Sequence, residues 1–469
     1  MKQPCYQACA RKTDKVTFTT RSDPIVFAIV FNAEEQRTQR FEPRNTLNTR
    51  KGFSRVERVE YREEKLAMRV KINLDEVAPV LKLSEYLADI RSSQEPLEVE
   101  LVNSGFCPIR VVPILAMLDV SRSSRASQVT VSVSSETGDQ ALFGFNSGNM
   151  RPGESVCRPF GRVWRFDNAD DLNLIVNAVE LELNKTVRLA KGVKLCFTWC
   201  LNEVMDNVLN HSAAVGNATG YTMVQYVPAE KLLKVCVFDM GIGLKASFEG
   251  SKYSPKTDEE AIRLAVQENV TSGKGQGNGL YGLKRLVGQS PMGKLHIKSG
   301  SGEYLYNPQK NVENARPCSP LVGISGSTMV DFQMVCDGEL SFEQAFPGSQ
   351  GQVDLWIEDH ETESGAVRVK VLDIVGGCGS RENGREVRTV VENLVEADKR
   401  KVVIDFEGAE TCSSAFVDEV IGKLLEKYGF SAFVQMISIA NVHGVVALLL
   451  NHSVRQRLVG EQTLIQKGE

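Results

Sequence analysis

The chain has 469 residues, of which 42% are hydrophobic and 24% charged, and at about 100 to 200 residues per domain this length predicts two to four domains, each able to bury its own core. It holds no run of about 18 apolar residues, which excludes a helical membrane span, and the opening MKQPCYQACARKTDKV lacks the apolar centre of a secretory signal, so a soluble cytoplasmic protein is expected. The net charge is −4, and the basic side chains between residues 37 and 71 (Arg37, Arg40, Arg44, Arg50, Lys51, Arg55, Arg58, Arg62) are interleaved with Glu42, Glu57, Glu60, Glu63 and Glu64, which dilutes any field that would attract nucleic acid and makes a solvated face the expected reading.

Eleven cysteines are present. The closest pairs, Cys5/Cys9 and Cys196/Cys200, lack a second Cys or His pair at zinc-site spacing, so they are read as free thiols.

In chain order, residues 1–70 hold two β-rich runs, KVTFTT and IVFAIVF, and the charged segment; they resist assignment. Residues 71–165 read as an α/β unit: strand LEVELV, helix VVPILAML, strand SQVTVSVS. Residues 166–345 form a second unit, residues 346–365 a polar linker, and residues 366–469 a third unit with strand KVVIDF, turn EGAETCSS, helix FVDEVIGKLLEKYG, strand FVQMISI and a last helix from Val445 to Leu458. The outer units share a strand and helix order, which suggests a degenerate repeat, and the alternation predicts α/β architecture throughout.

The middle unit carries the chemistry. LCFTWCLNEVMDNVLNHS reads as a helix that puts Glu203, Asn207 and His211 on one face, at intervals of four residues. The apolar strand LLKVCVFD ends in DMGIGL, where Asp239, Gly241 and Gly243 form D-x-G-x-G. TSGKGQGNGLYGLKRLV places Lys274, Gly275, Gly277 and Gly279 ahead of a helix, where backbone N–H groups and the helix dipole suit phosphate. GSTMVDF opens a late strand at Thr328. Each motif alone is common; the ordered set of four is specific.

Over about 180 residues this set resembles the GHKL ATPases, the group of gyrase, MutL and histidine kinases, and within it the anti-sigma-factor serine kinases, whose E-x-x-x-N-x-x-x-H pattern matches Glu203, Asn207 and His211. The resemblance implies an α/β sandwich, a mixed sheet with helices on one face, that binds ATP and Mg²⁺. By it, Asn207 holds the Mg²⁺, Glu203 acts as the catalytic base, Asp239 accepts from the adenine amino group, Gly241 and Gly243 turn the chain under the base, Thr328 helps hold it, and Lys274, Gly275, Gly277 and Gly279 contact phosphate. Residues 244–278, with helix DEEAIRLAVQENV, become a lid. His211 reads more simply as a packing or capping residue. A sensor histidine kinase is not expected, because none of the five histidines (211, 296, 360, 443, 452) stands on a dimerising helix ahead of this domain. The third unit resembles STAS-like domains, which include anti-sigma-factor antagonists phosphorylated on a serine between a strand and the next helix. Ser413 and Ser414 are the candidate phosphoacceptors, with capping the alternative role for one of them. Expected partners are ATP, a protein, and a second copy of the chain, with nucleic acid and membrane not expected.

Overall fold

The structure is a computed structural model that describes residues 68–465 apart from segments 75–78, 90–95, 103–106, 125–128, 134–141, 143, 154–157, 212–218, 271–278, 325, 348–356 and 358–359. The two β-rich runs and nearly all of the charged segment therefore lie outside the described residues. Among the described residues no helix is long and apolar enough to cross a membrane.

LLKVCVFD is apolar at nearly every position, the mark of a strand covered on both faces. It forms β6 (Leu232–Asp239), the third strand of a seven-stranded sheet. Its companions are β4 (Trp164–Phe166), β5 (Gly220–Val227), β7 (Lys294–Ser299), β8 (Gly302–Asn307), β9 (Val312–Pro317) and β10 (Thr328–Val335), in the order β4-β5-β6-β10-β7-β8-β9. The expected sheet was mixed; every neighbouring pair of these named strands is antiparallel, because three of the contacts are hairpins and β10 enters between β6 and β7 running against both. One face carries helices α3 (Ala169–Thr186), α4 (Val193–His211) and, beyond the short α5 (Gly243–Ser247) and α6 (Asp258–Ala265), helix α7 (Gly279–Gln289). Helix α8 (Phe342–Ala345) closes this layer, with Phe342 and Phe346 meeting Trp199 edge-on at 5.3 and 5.1 Å. Cys196, Cys200, Val204 and Val208 of α4 point into this core, so the two cysteines are apolar filling there.

The opposite face of the sheet is covered by the preceding unit. Strands β1 (Met68–Asn73), β2 (Leu97–Val102) and β3 (Val129–Val133) form a parallel three-stranded sheet, linked by α1 (Pro79–Asp89) and α2 (Pro108–Ser124). The run VVPILAML is apolar around its whole circumference because α2 lies between two sheets. Val111, Ile114, Leu115 and Leu118 join one core with Ile72, Val99, Tyr221, Met223, Phe238 and Met329. At about 1.5–3 kcal/mol for each large side chain buried, this layer ties the first unit firmly to the second. A polar seam borders it: Tyr221 Oη donates to Asp119 at 2.8 Å, and Arg165 bonds both Asp119 at 3.2 Å and Asp167 at 3.0 Å.

The last unit repeats the small parallel sheet: β11 (Val367–Lys370), β12 (Val402–Asp405) and β13 (Ile437–Ala440), in sequential order. Around it lie α9 (Val371–Val375), α10 (Arg381–Glu396), α11 (Ser414–Val417) running through a π-type turn at Asp418–Gly422 into α12 (Lys423–Met436), and α13 (Gly444–Ile465). FVQM was expected to be strand and is helix. Gly429, at φ 72° and ψ 158°, breaks α12, which then resumes with Phe433 inward and Phe430 and Val434 outward. The strand starts only at Ile437.

This unit docks on α3 through α10. The Asn393 side chain donates to Asn184 O at 3.1 Å and Val187 O at 3.0 Å and accepts from Leu189 N at 3.3 Å. Arg188 pairs with Glu392, and Lys194 stands 3.7 Å from Asp398. A single amide thus satisfies three backbone groups at the junction.

Candidate functional site

The described motif residues of the second unit lie on α4, at the start of α7, at the end of β6 and the turn after it, and at the start of β10. On α4, Glu203 and Asn207 are one turn apart and face the first residue of α7. A Cβ at Gly279 would stand 2.8 Å from Glu203 Oε2 and 3.4 Å from Asn207 Nδ2. Glycine is the residue that lets the α7 N-terminus come this close, and its free N–H groups favour negative charge in the gap. Burial, with a smaller contribution from nearby Asp206, pushes the Glu203 carboxyl up, which makes it a better proton acceptor than an exposed glutamate.

Asp239 ends β6, buried, in register with Gly220 on β5 and Thr328 on β10. Its Oδ1 accepts from Gly241 N at 2.7 Å. Burial pushes its pKa to about 7, only partly opposed by that hydrogen bond. Gly220 is needed at its place in the row, since a Cβ there would lie 2.1 Å from the Phe166 ring.

The turn after Asp239 is built by close approach. Gly243 has φ +78°, and Leu244 N donates to Ser299 Oγ at 2.8 Å. Ser299 Oγ in turn lies 3.1 Å from Thr328 Oγ1. A Cβ on Gly326 would fall 2.3 Å from Gly241 O. Ser299 and Gly326 thus belong to the same constellation as Asp239, Gly241, Gly243 and Thr328. Gly326 stands in the GSTMVDF motif, but the only signal for Ser299 was its place at a strand end, and its proximity depends on the β7–β10 register.

Glu203, Asn207 and Gly279 form one group, and Asp239, Gly241, Gly243 and Thr328 another. Lys274, Gly275 and Gly277, and the side chain of His211, lie outside the described residues. Within the expected lid, α6 is capped by the Thr257 hydroxyl accepting from Glu260 N, and Asp258 reaches Ser301 N at 2.8 Å. Glu268 accepts from Tyr281 Oη at 3.3 Å, tying the lid's exit to α7. Among the described residues no group of three His, Cys, Asp or Glu side chains could hold a metal unaided. A cation here would need oxygen from a ligand, as Mg²⁺ held by an asparagine and phosphates does.

In the last unit Ser413 caps α11, its Oγ accepting from Phe416 N at 3.0 Å, while Ser414 is the exposed first residue of the helix. Beside them Glu419 is fully buried yet keeps a lowered pKa: burial works to raise it, and the bonds from Lys423 and Arg388 outweigh burial. Arg381 reaches the same carboxylate at 3.3 Å. Ser380 is the N-cap of α10, and Arg381 and Arg385 lie within that helix. On β12, Asp405 binds Arg368 at 2.8 Å and Asn441 at 2.8 Å.

Residues 383–447 match the family model of a STAS-like domain of unknown function (DUF4325). The last unit therefore carries a STAS-like domain spanning α10 to the start of α13. No curated protein matched the chain.

Proposed function

We propose that the central unit is a GHKL-type ATP site and that the protein acts as a serine kinase on a STAS-like domain, its own or that of a partner. The observation that carries this reading is the approach of Glu203 and Asn207 to the N-terminus of α7, together with the buried Asp239 that ends β6 and the glycine turn after it. Glu203, its carboxyl raised by burial, takes the proton of the attacking hydroxyl. Asn207 would hold a Mg²⁺ together with the phosphates, and that ion would supply positive charge for phosphoryl transfer. Asp239 accepts from the exocyclic amine of adenine, and its neighbour Thr328 and the Gly241–Gly243 turn shape the base pocket. The phosphoacceptor is in the turn at Ser413 and Ser414, where the N-terminus of α11 would stabilise a phosphate.

A second reading is an ATP-gated switch that recruits a protein partner without phosphoryl transfer. The bonds from Asn393 to Asn184, Val187 and Leu189 favour it, because they join the STAS-like unit to the helix layer that carries Glu203. A second copy of the chain is a natural partner in either case.

The deciding experiment incubates the full chain with Mg²⁺ and γ-labelled ATP and follows free phosphate and labelled protein, beside Glu203→Gln and Ser413→Ala/Ser414→Ala variants. Label that needs Glu203 and the serines supports the kinase. Phosphate released without label supports the switch, and the absence of both signals counts against the kinase and the ATPase alike.

A further inference from the structure

The turn that carries Ser413 is held from the other side by a second loop, and each loop contributes a thiol. Ser413 N donates to Cys378 O at 2.9 Å. Cys378 and Cys412, the residue just before Ser413, share a side-chain hydrogen bond. Cys378 is buried in the core of the STAS-like unit, and Cys412 is half-buried at its edge. Both are free thiols. Cys378 stands in the sequence GGCGS, between β11 and α10, where a Cβ on Gly376, Gly377 or Gly379 would meet nothing within 4 Å. The loop therefore has both the room and the backbone freedom for the shift of about one to two ångströms that closing two hydrogen-bonded sulfurs into a disulfide requires.

We propose that Cys378 and Cys412 form a reversible disulfide that clamps the serine turn to the loop ahead of α10. The oxidant is a hydroperoxide. Cys412, the more exposed thiol, attacks the peroxide oxygen; the O–O bond breaks, the Cys412 sulfur becomes a sulfenic acid, and hydrogen peroxide gives up one oxygen as water. The Cys378 sulfur then attacks that sulfenic sulfur, the S–O bond breaks, its thiol proton leaves with the hydroxyl as a second water, and the S–S bond forms. Two electrons pass from the thiols to the peroxide, and dithiothreitol returns them by exchange.

Burial and the bond to Cys378 push the Cys412 pKa to about 12, so little thiolate is present near neutrality and the reaction is slow there. Its rate rises close to tenfold for each pH unit between 7 and 9, because the thiolate is the nucleophile. The consequence for the serines is mechanical. Ser413 is bracketed by Cys412 and by its own bond to Cys378 O, so the crosslink removes the opening motion that would expose its backbone. This inference stands independently of the ATP site.

The test treats the full-length protein with hydrogen peroxide, alkylates the remaining thiols, and maps peptides by mass spectrometry, with amide hydrogen exchange on the same samples. The expected result is loss of two of the eleven thiols, recovered as one linked peptide pair containing Cys378 and Cys412, reversed by dithiothreitol, with slowed exchange at Ser413 and Phe416. The pair disappears in both Cys378→Ser and Cys412→Ser. Alkylation of both residues after oxidation, or unchanged exchange in a linked sample, overturns the proposal; because this readout uses the wild-type chain, it does not depend on either variant folding.

Discussion

Glu203 and Gly279 meet across the gap between α4 and α7, leaving 2.8 Å between Oε2 and the point where a Cβ on the glycine would stand. Since the carboxylate is the far end of a flexible side chain, Gly279→Ala moves Glu203 aside and leaves the fold intact. Alanine also favours the first turn of a helix by up to about 1 kcal/mol. The melting temperature therefore stays level or rises, whereas, if the proposed ATP site holds, phosphate release from ATP falls about tenfold or more as Glu203 loses its position. Adenosine binding, which the proposed site assigns to the Asp239 end, changes by less than about threefold. Equal losses in both assays would show that Gly279 serves only packing.

Asp239 gives a pH signature. Its carboxyl is neutral in the folded protein up to about pH 7 but ionises near 3.8 when exposed, so between those values the native state holds a proton that the unfolded state has released. Stability contributed by this group is present at acid pH and lost as pH rises through 7. Asp239→Asn, which keeps an acceptor for Gly241 N–H, therefore raises the apo melting temperature at pH 8, by roughly 1–3 kcal/mol of stability, and not at pH 4. Comparing the variant with wild type cancels the similar burial effect at Asp331, whose pKa is pushed to about 8.

The same ionisation controls binding in the proposed site. If the adenine amine requires the carboxylate, adenosine binds about tenfold more weakly at pH 6 than at pH 8, and Asp239→Asn flattens the profile while weakening binding at pH 8. Adenosine is the right probe because it has no phosphate to titrate. Calorimetry that shows pH-independent affinity in the wild type would remove Asp239 from base recognition.

Local pattern carried some of this architecture and long-range register carried the rest. β6 spans LLKVCVFD residue for residue, because a strand covered on both faces is an uninterrupted apolar run. Helix α4, with Glu203, Asn207 and His211 at intervals of four, and the apolar helix within α2 were legible in the sequence. Ser299 was not legible, since its approach to Leu244 and Thr328 depends on how β7 pairs with β10 across intervening chain. Asn393 was invisible for a related reason: an asparagine in a helix ordinarily faces water, and only the docked α3 shows that this one does not. FVQM misled because Phe and Val favour strands, yet a helix that exposes Val434 and buries Phe433 uses the same residues.

Asn393 tests how firmly the STAS-like unit is coupled to the rest. Removing its side chain leaves Asn184 O, Val187 O and Leu189 N buried without their partner, and at about 1–3 kcal/mol for each stranded group the junction fails before either core does. Asn393→Ala is expected to split thermal unfolding into two calorimetric transitions, the first belonging to residues after about 366. A single transition shifted by less than about 2 °C would mean that the Arg188 and Lys194 ion pairs hold the units together on their own.

Ser413 and Ser414 differ in what the fold asks of them. The Ser413 hydroxyl accepts from Phe416 N at 3.0 Å, so Ser413→Ala loses an N-cap worth about 1 kcal/mol and lowers the melting temperature by roughly 3–8 °C. Ser414→Ala at the exposed helix start costs almost nothing. Should the chain or a partner kinase phosphorylate this turn, the exposed hydroxyl of Ser414 is the one free to leave its site without unravelling a cap. Ser413→Asp, which restores the cap without a phosphorylatable hydroxyl, is then expected to keep the label, and Ser414→Ala to lose it at unchanged stability. Label that follows Ser413 instead would mean that the cap opens before transfer, and the stabilities of the same four proteins would show how much that opening costs.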